Sequence, residues 1–549
     1  MDEHTDPPPA HDPPEPAPAG AAPAPPAAAP SDRPWRALVA AALAGFAAEA
    51  LVHGQPPGLG VAVAGAALAA GALLGGPLTG LRPGRQTLVL AAPLAFFSAM
   101  VAVRGGALLT LFNLLACGGL VLLLAADFHV SIPLHRLPLA GLVLGLARAA
   151  LAAAFLPFAH IPALLRRPPA LPGRAPLGPV LRGAALALPL LLLFAALFAS
   201  ADAVFADYLS RLLDWDVDWS DASLRLLFSL VFSWGALGLL RHAAATRVDA
   251  DPLSGLPRPA FLRLGAGETI TTLALVNLLF LAFVLVQSAY LFGGADTLAR
   301  AKLTYSEYAR RGFFELVAVG AIVTGLALAL DWLATPGRDR RGRTIDGLQG
   351  LLLALTLAVL ASALQRMRLY TEAYGLTELR LYTTVFMLWI AFLLAWLAAT
   401  VLRRRRGAFP AGALAAGALL MAGVNLLNPD AYIARTNLGR AGPLKVVEVE
   451  PEMSLTDTRV RRRREGLDVE YVTVTLSPDA VPALVEGIEG VRDAKTRARL
   501  AAALLQKRSQ LEASARETGW RGWNRGRAEA LRALREAEPR LRRLAEGTR

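Results

Sequence analysis

The chain has 549 residues, 55% of them hydrophobic, with a mean hydropathy of +0.45 and a formal net charge of +13. That balance is too apolar for a string of soluble domains, and its recurring apolar runs of roughly 17–25 residues match the length that crosses a bilayer core. The surplus charge is mostly arginine in short loops and in the last segment, where it sets membrane topology, so nucleic acid is not an expected partner.

Residues 1–34 are mostly Pro, Ala and acidic side chains, which bury too little apolar surface to offset their ordering entropy and predict a disordered tail. Twelve apolar spans follow, at 37–52, 58–76, 87–103, 107–128, 137–158 and 184–204, then 223–240, 270–291, 312–334, 347–364, 383–402 and 408–427. The predicted organisation is a tail over 1–34, a variable transmembrane region over 35–180, a core transmembrane region over 181–428 and a charged, mainly helical extramembrane segment over 429–549. In class this is an all-α polytopic membrane protein.

Loop charge alternates from the middle of the chain onward. One set of loops carries Arg166, Arg167, Arg174 and Arg182, then Arg338 to Arg343, then Arg403 to Arg406. The positive-inside rule puts this set in the cytoplasm, and with it predicts an extracytoplasmic C-terminal segment on a multi-pass plasma-membrane protein. Within that segment Arg459 to Arg464 reads as a solvated linker, and Ser477-Pro478-Asp479 is a helix start, with serine as N-cap and proline in the first turn. Amphipathic helices are predicted over 495–515 and 528–544, with Trp520 and Trp523 between them.

Four polar segments reach the predicted outer face: the one holding Asp202, a Tyr/Arg/Glu-rich stretch at 304–316, a second at 366–382, and one holding Asp430 and Arg435. The candidate ligand-binding side chains are Tyr305, Glu307, Tyr308, Arg310, Arg311 and Glu315 in the first stretch. In the second they are Arg366, Arg368, Tyr370, Glu372, Tyr374 and Arg380. Tyr308, Arg311 and Glu315 fall on one helical face, as do Arg366, Tyr370 and Tyr374, and Arg368 stands four residues before Glu372. Arginine forks suit a phosphate or carboxylate head group and tyrosines can lie along a sugar or lipid. The plainer reading is interfacial anchoring plus ion pairs between helix ends. No nucleotide-binding, nucleophile-elbow or kinase motif occurs, so no catalytic residue is assigned and no cofactor is expected. The one cysteine, Cys117, excludes an intrachain disulfide and a multi-cysteine metal centre, and the seven histidines form no zinc-binding pair, so no metal is expected. Glu268 is expected to serve its helix N-terminus, and Asn277, Gln287 and Asn425 to act as interhelical glue.

Several of these segments carry a resemblance. They are Phe198-Ala-Ser-Ala-Asp, Tyr305-Ser-Glu-Tyr-Ala-Arg-Arg-Gly, Leu369-Tyr-Thr-Glu-Ala-Tyr-Gly-Leu-Thr and Asn428-Pro-Asp-Ala-Tyr-Ile-Ala-Arg-Thr-Asn. Asp468-Val-Glu-Tyr, Asp479-Ala-Val-Pro-Ala-Leu and Trp520-Arg-Gly-Trp-Asn complete the set. In these the chain resembles an uncharacterised family of bacterial polytopic membrane proteins, of the domain of unknown function 4153/4173 type, over roughly residues 180–530. The resemblance implies a membrane location and no particular activity. The function expected from the residues is a transport-type or binding component that engages an anionic or amphiphilic envelope molecule at the outer face of the bilayer. An envelope enzyme acting on a lipid-linked group, with Glu307 or Glu315 as base, is the first alternative. The second is a scaffold that binds an envelope protein through residues 429–549.

Overall fold

The computed structural model describes residues 34–74, 85–127, 139–166, 202, 219–245, 265–292, 313–333, 340–402, 408–440, 445–448, 462–465 and 467–546. In chain order the apolar half forms α1 (Pro34–Val52), α2 (Leu59–Leu74), α3 (Arg85–Val103), α4 (Ala107–Asp127), α5 (Leu139–Arg166) and α6 (Trp219–Ala245). It continues with α7 (Ala266–Phe292), α8 (Phe313–Leu333), α9 (Arg340–Tyr374), α10 (Glu378–Leu402) and α11 (Phe409–Leu427). Such runs become helices because a helix satisfies its backbone hydrogen bonds within the segment, which hydrocarbon cannot do for it.

The expected all-α membrane class is the one observed, but the expected twelve spans are not. Among the described residues seven helices are long and apolar enough to cross a membrane: α4, α5, α6, α7, α9, α10 and α11. The apolar parts of α2, α3 and α8 run only Leu59–Leu73, Thr87–Val103 and Glu315–Ala329. α1 is not among the seven, and the span expected at 184–204 lies outside the described residues apart from Asp202. These three fall short because a run of about 15 residues rises only ~23 Å, less than a ~30 Å core.

α1 packs along α6, α2 along α3 and α5 along α6, while α7, α8 and α10 surround α9. Gly45 and Gly238 allow two of these approaches, since a methyl at the first would collide with Ser229 and Ser233 of α6, and at the second with the backbone of Ala152 and Ala153 in α5. Asn277 donates to its own helix at Leu273 O (2.8 Å) and across to Leu348 O of α9 (3.0 Å), the expected glue. Glu268 accepts from Gly265 N at 2.8 Å, at the start of α7. Large apolar side chains such as Leu275, Leu278, Leu279 and Ile322 stand outward and exposed, as a surface meant for lipid does.

Beyond Leu427 the chain changes character. Asn428, at φ 56°, turns α11 into α12 (Pro429–Leu438), with its side chain accepting from Ala431 N and proline at the first helical position. A four-residue antiparallel ribbon follows, β1 (Lys445–Glu448) against β2 (Arg462–Glu465), with Lys445 opposite Glu465 and Glu448 opposite Arg462. The basic run read as a linker is therefore partly a strand, where paired backbone replaces solvated backbone. A π-helical turn over Tyr471–Thr475 and a 3-10 turn over Pro478–Ala480 lead into α13 (Val481–Gly487), α14 (Ala494–Glu517) and α15 (Arg525–Glu546). Ser477 caps as its sequence predicts, its hydroxyl accepting from Asp479 N. Ile433, Leu467, Leu476, Leu484, Leu500, Leu504, Leu534 and Leu541 fill one core with less than 3% exposure each. α12 belongs to this core, so the C-terminal domain includes the helix that directly follows the last membrane helix.

Candidate functional site

Three turns of the bundle lie at the end that meets the C-terminal domain: α1–α2, α3–α4 and α9–α10. The α9–α10 turn requires Gly375, whose φ is +84° and whose missing side chain leaves space where Asn437 Oδ1 sits 2.9 Å from the position of a Cβ. Asn437 of α12 brackets the next residue, accepting from Leu376 N and donating to Leu376 O, both at 2.8 Å. Arg440 donates to Thr371 O at 2.7 Å, and the Tyr471 hydroxyl accepts from Glu378 N at 2.8 Å. These groups satisfy the carbonyls at the end of α9 and an amide at the start of α10, which neither helix can satisfy alone.

The α3–α4 turn, Arg104-Gly105-Gly106, is held in the same way. Asn524 Nδ2 donates to Val101 O (3.0 Å) and Arg104 O (2.8 Å), and Asp479 Oδ2 accepts from Gly105 N (2.9 Å). Arg104 Nε donates to Asn425 O at 2.6 Å, and the Asn425 and Asn113 side-chain amides exchange hydrogen bonds at 2.8 and 2.9 Å. At the α1–α2 turn, Leu59 N donates to Trp523 O (2.9 Å), Gly519 N to Gln55 Oε1 (2.9 Å) and Arg521 to Ala50 O (2.7 Å).

Carboxylates concentrate where these contacts converge. Asp430 and Asp479 are 3% and 5% exposed. Asp430 Oδ2 accepts from Ser477 N at 3.2 Å, while the Oδ1 atom of each aspartate is buried with no amide, hydroxyl or cation donating to it. The Glu378 side chain, at the start of α10, lies close enough to Asp430 for the two carboxyls to interact. Burial pushes the Asp479 carboxyl up to about 6, against the opposing pull of the Gly105 amide and Arg104. Burial likewise raises the Tyr471 phenol to about 12 and lowers the Lys507 ammonium. Lys507 Nζ donates to Thr473 O (2.6 Å) and Leu476 O (2.8 Å), which leaves one of its three protons for another acceptor.

Beside this cluster lies a partly open cavity of about 500 Å³. Ala107 and Leu108 of α4 supply a membrane-side wall, while Thr473, Gln506, Lys507 and Gln510 of the C-terminal domain supply the facing one. Glu378 and Ser477 stand on its lining, and the adjacent Val474 is 74% exposed.

Of the candidates read from sequence, Tyr305, Glu307, Tyr308, Arg310 and Arg311 lie outside the described residues. Glu315 is exposed at the start of α8, whose next residues Leu316 and Val317 share a core cluster with Met367 and Tyr370. Arg368 and Glu372 form the expected pair at 2.8 Å, exposed, and Arg366 is buried in α9. Tyr370 and Tyr374 meet edge to face at 5.0 Å, with the Arg380 guanidinium 4.2 Å from the Tyr370 ring centroid. That arginine is thereby engaged within its own turn. Arg435 and Asp202 are exposed, whereas Asp430 stands inside the junction. Asp479, Asn524, Lys507 and Arg104 were not singled out for chemistry. The one signal that pointed to the first two was the pair of segments Asp479-Ala-Val-Pro-Ala-Leu and Trp520-Arg-Gly-Trp-Asn, both of which fall at the junction, and none pointed to Lys507 or Arg104.

Among the described residues no group of His, Cys, Asp and Glu is arranged to hold a metal ion. A family model, "Domain of unknown function (DUF4153)", matches residues 91–487, and the chain belongs to that family. No curated protein and no solved structure matches it.

Proposed function

We propose that this DUF4153 member is a binding component of the cell membrane that takes up the head group of an amphiphilic envelope molecule in the junction cavity. The observation that carries this reading is the two-sided lining: apolar Ala107 and Leu108 on the membrane helix, and Gln506, Lys507 and Gln510 facing them. An amphiphile needs such a boundary, apolar on one side and hydrogen-bonding on the other. The remaining Lys507 proton favours an anionic or carbonyl oxygen in the ligand. The test is native mass spectrometry of the full-length protein extracted from membranes. A retained lipid-sized mass in the wild type, lost in both Leu108→Trp and Ala503→Phe, the latter on the lining beside Gln506, supports the reading; the same adducts in all three proteins would refute it.

The same reading puts the C-terminal domain outside the cytoplasm of a plasma-membrane protein. α10 ends and α11 begins at the end opposite the junction; the sequence between them holds Arg403 to Arg406, and the positive-inside rule sends such an end to the cytoplasm. Gln510→Cys in a Cys117→Ala background should react with a membrane-impermeant maleimide on intact cells. Reaction only after lysis would reverse the orientation.

A second reading rests on the contact between Glu378 and Asp430. Glu378 stands on the cavity lining with the buried Asp430 carboxyl beside it, and such a carboxyl can act as acid or base on a bound head group. If so, Glu378→Gln would leave the adduct bound and stop its turnover; an unchanged turnover rate would exclude that chemistry.

A further inference from the structure

Between α14 and α15 the chain turns through Gly519-Trp520-Arg521-Gly522-Trp523-Asn524, and both of the C-terminal domain's tryptophans lie in this turn. Trp520 is 59% exposed and Trp523 46%. A loosely held surface loop would explain such exposure, but this backbone is tightly held. Trp523 O accepts from Leu59 N, the first residue of α2, and Arg521 reaches Ala50 O in the last turn of α1. Gly522 lies so close to Pro56 that a Cβ would stand 3.1 Å from its ring carbons. Arg527 adds a hydrogen bond to Pro57 O at 3.2 Å. The two indoles are therefore fixed at the ends of two apolar helices whose outward side chains include Leu43, Phe46 and Leu68, all at least half exposed.

The partner that suits two exposed indoles at the ends of apolar helices is the lipid interface, where the ring meets acyl chains and its N–H meets water and head groups. We propose that Trp520 and Trp523 are a lipid-contact surface, inserted in the head-group layer beside the α1–α2 turn. The C-terminal domain then rests on the bilayer as well as on the bundle. The surface continues the outward apolar face of α1 and α2. This proposal does not depend on what the cavity binds.

The full-length protein is reconstituted in vesicles of phosphatidylcholine and phosphatidylglycerol, with bromine either near the glycerol end or near the end of the acyl chains. Bromine quenches tryptophan on contact, and the chain has nine tryptophans. The variant carrying Trp520→Phe and Trp523→Phe should lose part of the quenching by shallow bromine and none by deep bromine. Trp234→Phe, within the α6 span, should do the reverse. If the double variant does not insert, each single substitution should show a smaller loss of the same kind. Shallow quenching that is equal in wild type and variants would overturn the proposal. So would a wild-type excess of quenching by aqueous iodide, which would show the indoles standing in water.

Discussion

The bundle and the C-terminal domain are both helical, yet they are held together by different physics. In the bundle, glycines such as Gly45 and Gly238 let helices approach, a few amides such as Asn277 cross between them, and large apolar side chains face outward. The C-terminal domain turns its leucines inward, to 0% exposure at Leu484, Leu500 and Leu534, as water requires. At the junction neither pattern applies. There Leu376 and Leu381 of the bundle enter the C-terminal core, and the two regions also exchange directional hydrogen bonds between backbone turns and single polar side chains, so position is set by Asn437, Asn524 and Asp479 as well as by apolar area.

This contrast can be broken most severely from the core of the C-terminal domain. Leu484→Ala should cost about 2–5 kcal/mol, the usual range for a buried leucine whose cavity cannot collapse. It should lower the first thermal transition of the purified protein and leave helix content in the bundle unchanged. Loss of the bundle signal together with the domain would mean that the two regions are one cooperative unit.

The junction should be next in sensitivity. Asn524→Ala removes both donations to the α3–α4 turn and the acceptance from Arg527 N, leaving buried carbonyls unpaired at about 1–3 kcal/mol. Faster hydrogen exchange at Gly105 and Leu59, with the core of α14 still protected, is the expected result. Uniform exchange changes across the domain would contradict it.

Asp479 sharpens the comparison through pH. Its folded value, about 6, lies above the ordinary 3.8, so between these values the folded protein holds a proton that the unfolded chain has released. Stability therefore falls as pH rises through this interval, by at most about 3 kcal/mol. Asp479→Asn should flatten that slope, and a wild-type melting temperature independent of pH over this range would rule the account out. The smallest effect is expected at Arg368→Ala, whose ion pair with Glu372 is solvent-exposed. A change beyond about 0.5 kcal/mol in thermal unfolding would show that this pair does more than a surface pair usually does.

Class, helix positions and the C-terminal helix start were legible in the sequence, because apolar runs and the Ser477-Pro478 cap are local signals. Crossing length was not legible for every run, since among the described residues the apolar parts of α2, α3 and α8 fall short of it. Two site candidates behaved differently for a physical reason. Arg368 and Glu372 stand four residues apart on one helix, so sequence spacing predicts their contact. Asp479 and Gly105 are 374 residues apart, and no spacing rule reaches that far. Asp430 was singled out by its segment, but that it accepts from Ser477 N follows only from the way α12 folds back into the C-terminal core.

The claim on which the cavity depends is that the C-terminal domain docks on the α3–α4 turn in the membrane. A Cβ at Gly106 would lie 3.9 Å from Ser477 Oγ, close to the reach of a disulfide. Gly106→Cys with Ser477→Cys, in a Cys117→Ala background, should therefore cross-link under mild oxidation of native membranes, and neither single variant should. Both cysteines remaining free and reactive toward maleimide after oxidation would contradict the docked arrangement.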